Sequence, residues 1–141
     1  MDIRPLTDTY AVAPQITPAD LPEIRAAGYS CIICNRPDAE IPESLQNAAM
    51  AEAARAAGLD FVYNPLTPGA ITDENARIQR ETCAAARGSV LAYCASGNRS
   101  SVAWALGRAG DAPADVLIGS AGRFGYDLEP YRARIEGLAK G

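Results

Sequence analysis

The sequence predicts a single α/β domain, residues 1–141, built on a four-stranded, mostly parallel sheet flanked by helices. Three observations carry that prediction. Short apolar runs alternate along the chain with helix-like stretches, the pattern of βαβ units. Most helix-like stretches stop near a glycine, the natural residue to close a helix. The chain has 141 residues, which a prior of about 150 residues per domain reads as one domain.

The elements follow in order. Tyr10-Ala11-Val12-Ala13 is short and strand-like. Thr17-Pro18-Ala19-Asp20 supplies an N-cap, a proline at the first helical position and an acid in the first turn. The helix Pro18–Ala27 turns Leu21 and Ile24 inward and stops at Gly28. Tyr29–Cys34 is a compact apolar run, read as a buried parallel strand and ended by Asn35-Arg36-Pro37-Asp38. A helix over about Glu43–Ala57 closes at Gly58, and Leu59–Tyr63 is the third strand. The turn-rich loop Asn64–Gly69 leads to Thr72, an N-cap with Asp73 and Glu74 behind it. That helix runs to about Ala86. Ser89–Tyr93 is the fourth strand, and a helix follows from about Ser100 to Ala109. Two shorter helices complete the chain, one after Asp111-Ala112-Pro113 and one over about Leu128–Leu138.

Composition excludes several function classes. With 48% hydrophobic and 21% charged residues, the chain has what it needs to form a core. A net charge of −4 disfavours nucleic acid as a partner, since that role needs a basic face. No apolar run approaches the length of a membrane span, and the first residues do not read as a signal peptide. A cytoplasmic, reducing location is the expectation, and the four cysteines are then not a disulfide framework. There is no histidine. That removes the Ser-His-Asp triad, the Cys–His pair and every His-ligated metal site. No metal or cofactor is expected.

In a parallel sheet, ligands sit at the carboxyl ends of the strands. One junction there stands out: Cys94-Ala95-Ser96-Gly97-Asn98-Arg99-Ser100, between the fourth strand and the following helix. Backbone N–H groups of a small, glycine-bearing loop at a helix N-terminus can converge on an anion. Arg99 adds a fixed cation with a forked set of donors. A cysteine at the mouth of such a nest is favoured as thiolate, which offers a chain without histidine a route to an active nucleophile. Cys94 and Arg99 are therefore the candidate catalytic residues. Ala95, Ser96, Gly97, Asn98 and Ser100 are the candidate anion-binding residues.

The segment Cys94–Ser100 resembles the active loop of rhodanese-type sulfurtransferases, in which the cysteine carries a persulfide. It also resembles the Cys-x5-Arg loop of protein tyrosine and dual-specificity phosphatases, one residue shorter. Ala13-Pro14-Gln15-Ile16-Thr17, Asn35-Arg36-Pro37-Asp38, the Tyr63–Ile71 loop and Leu91-Ala92-Tyr93-Cys94 together resemble one bacterial family. It is the DUF442 family, the phosphatase-like family of beta-lactamase hydrolase-like proteins, and the resemblance spans about Met1 to Leu106. It implies a dual-specificity-phosphatase-like fold. It also implies a place in sulfide or persulfide metabolism, with a persulfide-processing enzyme as a partner.

Three features order the chemistries. The six-residue span Cys94–Arg99 should form a tighter nest than a phosphatase loop, suited to a terminal sulfur. The loop Asn64–Ile71 holds no aspartate to protonate a leaving oxygen. Tyr93 stands where phosphatases of this fold carry histidine. The first expectation is a sulfurtransferase acting on a small anionic or persulfide substrate, with sulfur held on Cys94. The alternatives are a phosphatase working through a phosphocysteine, and an anion- or persulfide-sensing module without turnover.

Other residues have plainer expectations. Cys31 and Cys34 face opposite sides of a strand, so packing outweighs a redox role, though either they or Cys83 would be placed to resolve a disulfide. Arg36 either extends the anion site or pairs with Asp38 to shape a turn. Trp104 is a core residue behind the loop. Arg123, Phe124 and Tyr126, flanked by Gly122 and Gly125, form a turn at a possible substrate rim.

Overall fold

The computed structural model describes residues 1–141. Alternation along the strands builds two cores, one on each face of a central sheet. Tyr10, Val12, Cys31, Ile33, Val90 and Ala92 point into the larger one, and Ala11, Ala13, Ile32, Cys34, Leu91 and Tyr93 into the smaller. This two-residue period is what pleated strands buried on both faces require.

The strands are β1 (Arg4–Pro5), β2 (Tyr10–Ala13), β3 (Tyr29–Cys34), β4 (Asp60–Tyr63) and β5 (Ser89–Tyr93), in spatial order β1-β2-β5-β3-β4. The last four run parallel to one another, and β1 pairs antiparallel with β2. The sheet therefore has five strands rather than the four expected. β1 has two residues, one of them a proline without an N–H, so it carries no strand signal of its own. Pairing with Val12 and Ala11 makes it a strand.

The helices are α1 (Leu21–Ala26), α2 (Asn47–Ala56), α3 (Asp73–Ala85), α4 (Asn98–Gly107), α5 (Ala114–Gly122) and α6 (Arg132–Lys140). α1 and α2 cover the smaller core, and α3 to α6 the larger. α4 lies in the middle of its layer and is buried from Ser100 to Gly107.

Four helix starts differ from expectation. Pro18–Asp20 is a 3-10 turn ahead of α1, and Glu129–Tyr131 is one ahead of α6. The stretch from Glu43 is a 3-10 turn, Glu43–Leu45, then extended backbone at Gln46, then α2. Its polar start lacks the apolar stripe that would hold one continuous helix. α4 begins two residues earlier than expected, at Asn98, because Gly97 takes a positive φ of 95° and ends the loop there. Arg99 thus sits on the first helical turn, where its direction is set by the helix.

The C-terminal ends of the strands are stitched together beyond the strands themselves. Asn35 N–H donates to Tyr93 O at 2.8 Å, Asn64 N–H to Cys34 O at 2.9 Å, and Leu66 N–H to Asn35 O at 2.9 Å. These bonds bring the segments after β3, β4 and β5 side by side. No helix is long and apolar enough to cross a membrane.

Candidate active site

Cys94 is the first residue past β5, and its backbone N–H still reaches Ala13 O on β2 at 3.4 Å. The side chain lies at the floor of the loop and is fully buried. Gly97 N–H donates to Cys94 Sγ at 3.1 Å. The sulfur is thus seated against the N-terminal end of α4, where backbone donors and the helix dipole favour negative charge.

The loop also keeps donors in reserve. Asn98 N–H turns to Ser96 Oγ at 3.3 Å, and Ser101 N–H to Gly97 O at 3.0 Å. The N–H groups of Ala95, Ser96, Arg99 and Ser100 have no acceptor within the chain. The last two belong to the first turn of a helix, which cannot satisfy them internally. The Ser100 hydroxyl is buried without a partner as well. The seven expected loop residues thus come together as a cradle around the sulfur, four of them with unspent N–H donors.

Arg99 is held by two acceptors from distant elements. Its Nη1 donates to Glu40 Oε2 at 2.8 Å and to Leu66 O at 2.7 Å, and its Nη2 to Glu40 Oε1 at 2.8 Å. A guanidinium has five N–H donors. Three are spent here, which leaves Nε–H and one Nη2–H, the side edge of the fork, for a bidentate grip on an oxyanion. Glu40 lies in the short 3-10 turn after β3 and also accepts from Arg36 Nε at 3.2 Å. Hydrogen bonding from Arg99, reinforced by Arg36, holds its carboxyl below the usual carboxylate range. Glu40 is therefore ionised near neutrality and is an orienting group, not a proton donor.

Arg36 does not pair with Asp38. Its partners are Glu40 and Gln15 Oε1 at 3.3 Å, while Asp38 accepts from Asn47 N–H at 2.8 Å. Asp38 is spent at the start of α2, which leaves Arg36 to the row Arg36–Glu40–Arg99 at the cradle's edge. The acids after the Asn64–Ile71 loop are engaged elsewhere. Asp73 pairs with Arg134 and Glu74 with Arg77.

Several residues position the loop in ways their local sequence does not show. Tyr126 Oη donates to Ser96 O at 2.7 Å and accepts from Arg4 Nη1 at 2.6 Å. It props the loop from behind rather than lining a substrate rim. Gly97 lies against it: a Cβ there would collide with Tyr126 Oη and sit 3.0 Å from Cζ. Tyr10 Oη donates to Ser100 O at 2.8 Å. Gln79, buried on α3, donates to Tyr10 Oη at 2.9 Å and to Asn35 Oδ1 at 3.0 Å. Its Oε1 accepts from Asn35 Nδ2 and Asn64 Nδ2, each at 2.9 Å. Tyr126 stood out only for its glycine-flanked turn, and Glu40 is legible only by its spacing of four residues from Arg36.

Of the remaining cysteines, Cys34 reaches the cradle's edge, where its Sγ–H donates to Arg36 O at 3.5 Å. Cys31 and Cys34 enter opposite cores, as expected, and all four cysteines are free. Burial pushes the Cys31 thiol up to about 12 and the Cys83 thiol up to about 11. Tyr93 points into the smaller core, with a buried hydroxyl that has no partner. Trp104 is core, stacked on Tyr10 with ring centroids 5.9 Å apart.

Comparison with known proteins adds a frame to this geometry. Residues 2–111 match the model of the phosphatase-like domain of beta-lactamase hydrolase-like proteins. The beta-lactamase hydrolase-like protein of Agrobacterium fabrum is 35% identical over 106 residues, 75% of this chain and 25% of that protein. That of Xylella fastidiosa is 33% identical over the same extent. The chain spans about a quarter of the length of these curated relatives. Among solved structures, a "putative phosphatase" of Neisseria meningitidis Z2491 superposes with a TM-score of 0.82 at 35% identity, covering 98% of this chain and 99% of that one. The kinase-associated phosphatase superposes with a TM-score of 0.73 at 12% identity, covering 93% and 85%, a likeness of fold alone. The family model and the Neisseria neighbour are thus described as phosphatase-like.

Proposed function

The chain belongs to the phosphatase-like domain family of beta-lactamase hydrolase-like proteins, and on that premise we propose that it is a cysteine-dependent phosphatase with Cys94 as nucleophile. The observation that supports this most directly is the free side edge of Arg99 beside a buried sulfur and four unspent N–H donors. A tetrahedral oxyanion presents the acceptors such a cradle lacks. The Cys94 thiolate attacks phosphorus, an S–P bond forms, and the ester P–O bond breaks with its electron pair leaving on oxygen. Water then attacks phosphocysteine, releasing inorganic phosphate and the thiolate. Charge on the equatorial oxygens is met by Arg99 and the loop N–H groups, oriented in advance.

No free carboxylic acid stands at this cradle to protonate the departing oxygen. The enzyme should therefore depend on leaving groups that depart as anions. We expect kcat/KM to fall steeply from p-nitrophenyl phosphate to phenyl phosphate to an alkyl phosphate. A flat series would point to an acid elsewhere in the protein.

A second reading, sulfur transfer, is favoured by that same missing acid and by the short loop. A thiolate leaves without protonation. Here Cys94 attacks the outer sulfur of thiosulfate, sulfite departs, and Cys94 holds a persulfide for a thiol acceptor. In this reading a persulfide-processing enzyme is the natural partner. Intact-protein mass spectrometry after an acid quench separates the two. A phosphoryl adduct from p-nitrophenyl phosphate, absent in Cys94→Ser, supports the first. A single added sulfur from thiosulfate, removed by cyanide, with no phosphoryl adduct, replaces it with the second.

A further inference from the structure

Arg36 reaches across the end of β5. It follows β3, and β5 lies between β2 and β3 in the sheet. Its Nη1 donates at 3.3 Å to Oε1 of Gln15, which follows β2. The side chain therefore spans the carboxyl end of β5, where Cys94 opens the loop. Its Nε donates at 3.2 Å to Glu40 Oε1, the same oxygen that accepts from Arg99 Nη2 at 2.8 Å. Two guanidinium groups thus meet at one carboxylate oxygen on the cradle's edge.

Arg36 has donors to spare. Its Nη2 makes no hydrogen bond within the chain, and solvent reaches it, unlike the buried atoms that lack partners. The side chain is 22% exposed. Arg99 Nε is likewise unbonded and open. Glu40 is the one carboxylate that pairs with either arginine, since Asp38 is taken by Asn47. The fork of Arg99 serves the transferred group, so the open end of Arg36 is left for a second anion beside it.

An acid-free cradle restricts what can leave: the departing oxygen must be stable as an anion. An aryl oxide achieves this by spreading charge over a ring, and it offers a guanidinium a single oxygen. A carboxylate or a phosphate achieves it as the base of an acid with pKa of about 4 or about 6. Each presents paired oxygens that match a guanidinium fork. Resting on the phosphatase reading, we propose that the substrate is a phosphoric anhydride, an acyl phosphate or a pyrophosphate, and that Arg36 receives its leaving group. Cys94 Sγ attacks the terminal phosphorus, the S–P bond forms, and the bond from phosphorus to the bridging oxygen breaks. The electron pair stays on that oxygen, which departs as carboxylate or phosphate against Arg36 Nη2 without taking up a proton. Arg99 and the loop N–H groups hold the phosphoryl group until water releases it as inorganic phosphate.

The test measures kcat/KM of the whole chain for acetyl phosphate and for pyrophosphate, each as a ratio to p-nitrophenyl phosphate. Intrinsic ease of departure enters the native ratio but cancels in its change between variants. In Arg36→Gln the ratio should fall about tenfold or more for at least one anhydride, as loss of a charge-assisted hydrogen bond implies. Arg36→Lys, which keeps the charge, should restore part of it. The anhydride that responds separates acyl phosphates from pyrophosphates. An unchanged thermal unfolding midpoint verifies the fold of each variant, and Arg36→Met, which keeps the stem, replaces Arg36→Gln if that variant unfolds. An unchanged ratio in a folded variant overturns the proposal. So does mass spectrometry that finds Cys94 acetylated rather than phosphorylated by acetyl phosphate. Turnover of p-nitrophenyl phosphate that is lost in Cys94→Ser, with neither anhydride consumed, removes the anhydride assignment and leaves the phosphatase reading standing. No Cys94-dependent turnover of any of the three overturns both.

Discussion

Gly97 and Tyr126 meet behind Cys94, and the contact shows how one atom can set a loop. Gly97 has a positive φ and no room for a Cβ against the tyrosine. Gly97→Ala should cost at least about 1–3 kcal/mol from backbone strain alone. Tyr126→Phe removes the bond to Ser96 O and should cost about 1 kcal/mol. Removing the hydroxyl also removes the worst clash, so the double variant should be less destabilised than the sum of the two. Denaturant unfolding of the three variants forms the double-mutant cycle, and strict additivity would show that the two residues do not act on each other. Glu40 makes a different prediction. Its folded carboxyl titrates below the usual 4.5, chiefly because Arg99 donates to it. A carboxyl depressed in the folded state contributes stability above its unfolded value and loses it as pH falls through the folded one. The stability gap between the native chain and Glu40→Gln should therefore stay constant from neutrality to about 4.5 and close below it. If Glu40 positions Arg99, the variant should also lose kcat while keeping its fold.

At the scale of elements, the cradle is a meeting of three strand ends and one helix start. β5 delivers Cys94, α4 delivers Arg99, and the segments after β3 and β4 deliver Glu40 and the Leu66 carbonyl. Gln79 on α3 fastens this arrangement from beneath, through Asn35, Asn64 and Tyr10. Its side chain is 1% exposed, so no water replaces it. Gln79→Leu keeps the volume and leaves several buried amide and hydroxyl groups unpaired. At about 1–3 kcal/mol for each unpaired group, the loss should reach about 3 kcal/mol. Thermal unfolding would show this as a large drop in Tm. A change within a few tenths of a kcal/mol would mean that the network rearranges around the gap.

The whole molecule is a sheet between two helical layers, with its candidate site at the carboxyl edge. It holds together without covalent crosslinks, since all four cysteines are free. Its buried acidic hydrogens set an alkaline limit. Burial raises the Cys31 thiol from 9.0 to about 12 and the Cys83 thiol to about 11, and raises the Tyr10 and Tyr93 hydroxyls as well. Between the unfolded and folded values, the unfolded chain holds fewer protons than the folded one. Stability then falls as pH rises. We expect it to decline from about pH 9 upward, with a shallower slope in Cys31→Val. An equal slope in that variant would assign the loss to Cys83 and the tyrosines.

Local chemistry determined the fold class, the order of the elements and the location of the candidate nucleophile. Strand alternation, capping residues and glycine stops act over a few residues, so a single sequence displays them. Thr72 caps α3 as its position implied, and Ser89–Tyr93 is a strand at the bounds expected. The same reasoning placed Cys94, since a cysteine before a glycine-bearing loop and an arginine is a contiguous pattern. What the tertiary structure decided lies between residues far apart in the chain. Arg99 meets Glu40 across 59 residues and the Leu66 carbonyl across 33, and Tyr126 meets Ser96 across 30. No short-range periodicity encodes such pairs. Nor does it encode β1, which exists only through its partner strand, or the start of α4, which Gly97 sets by a backbone angle that Tyr126 leaves room for no other residue to adopt.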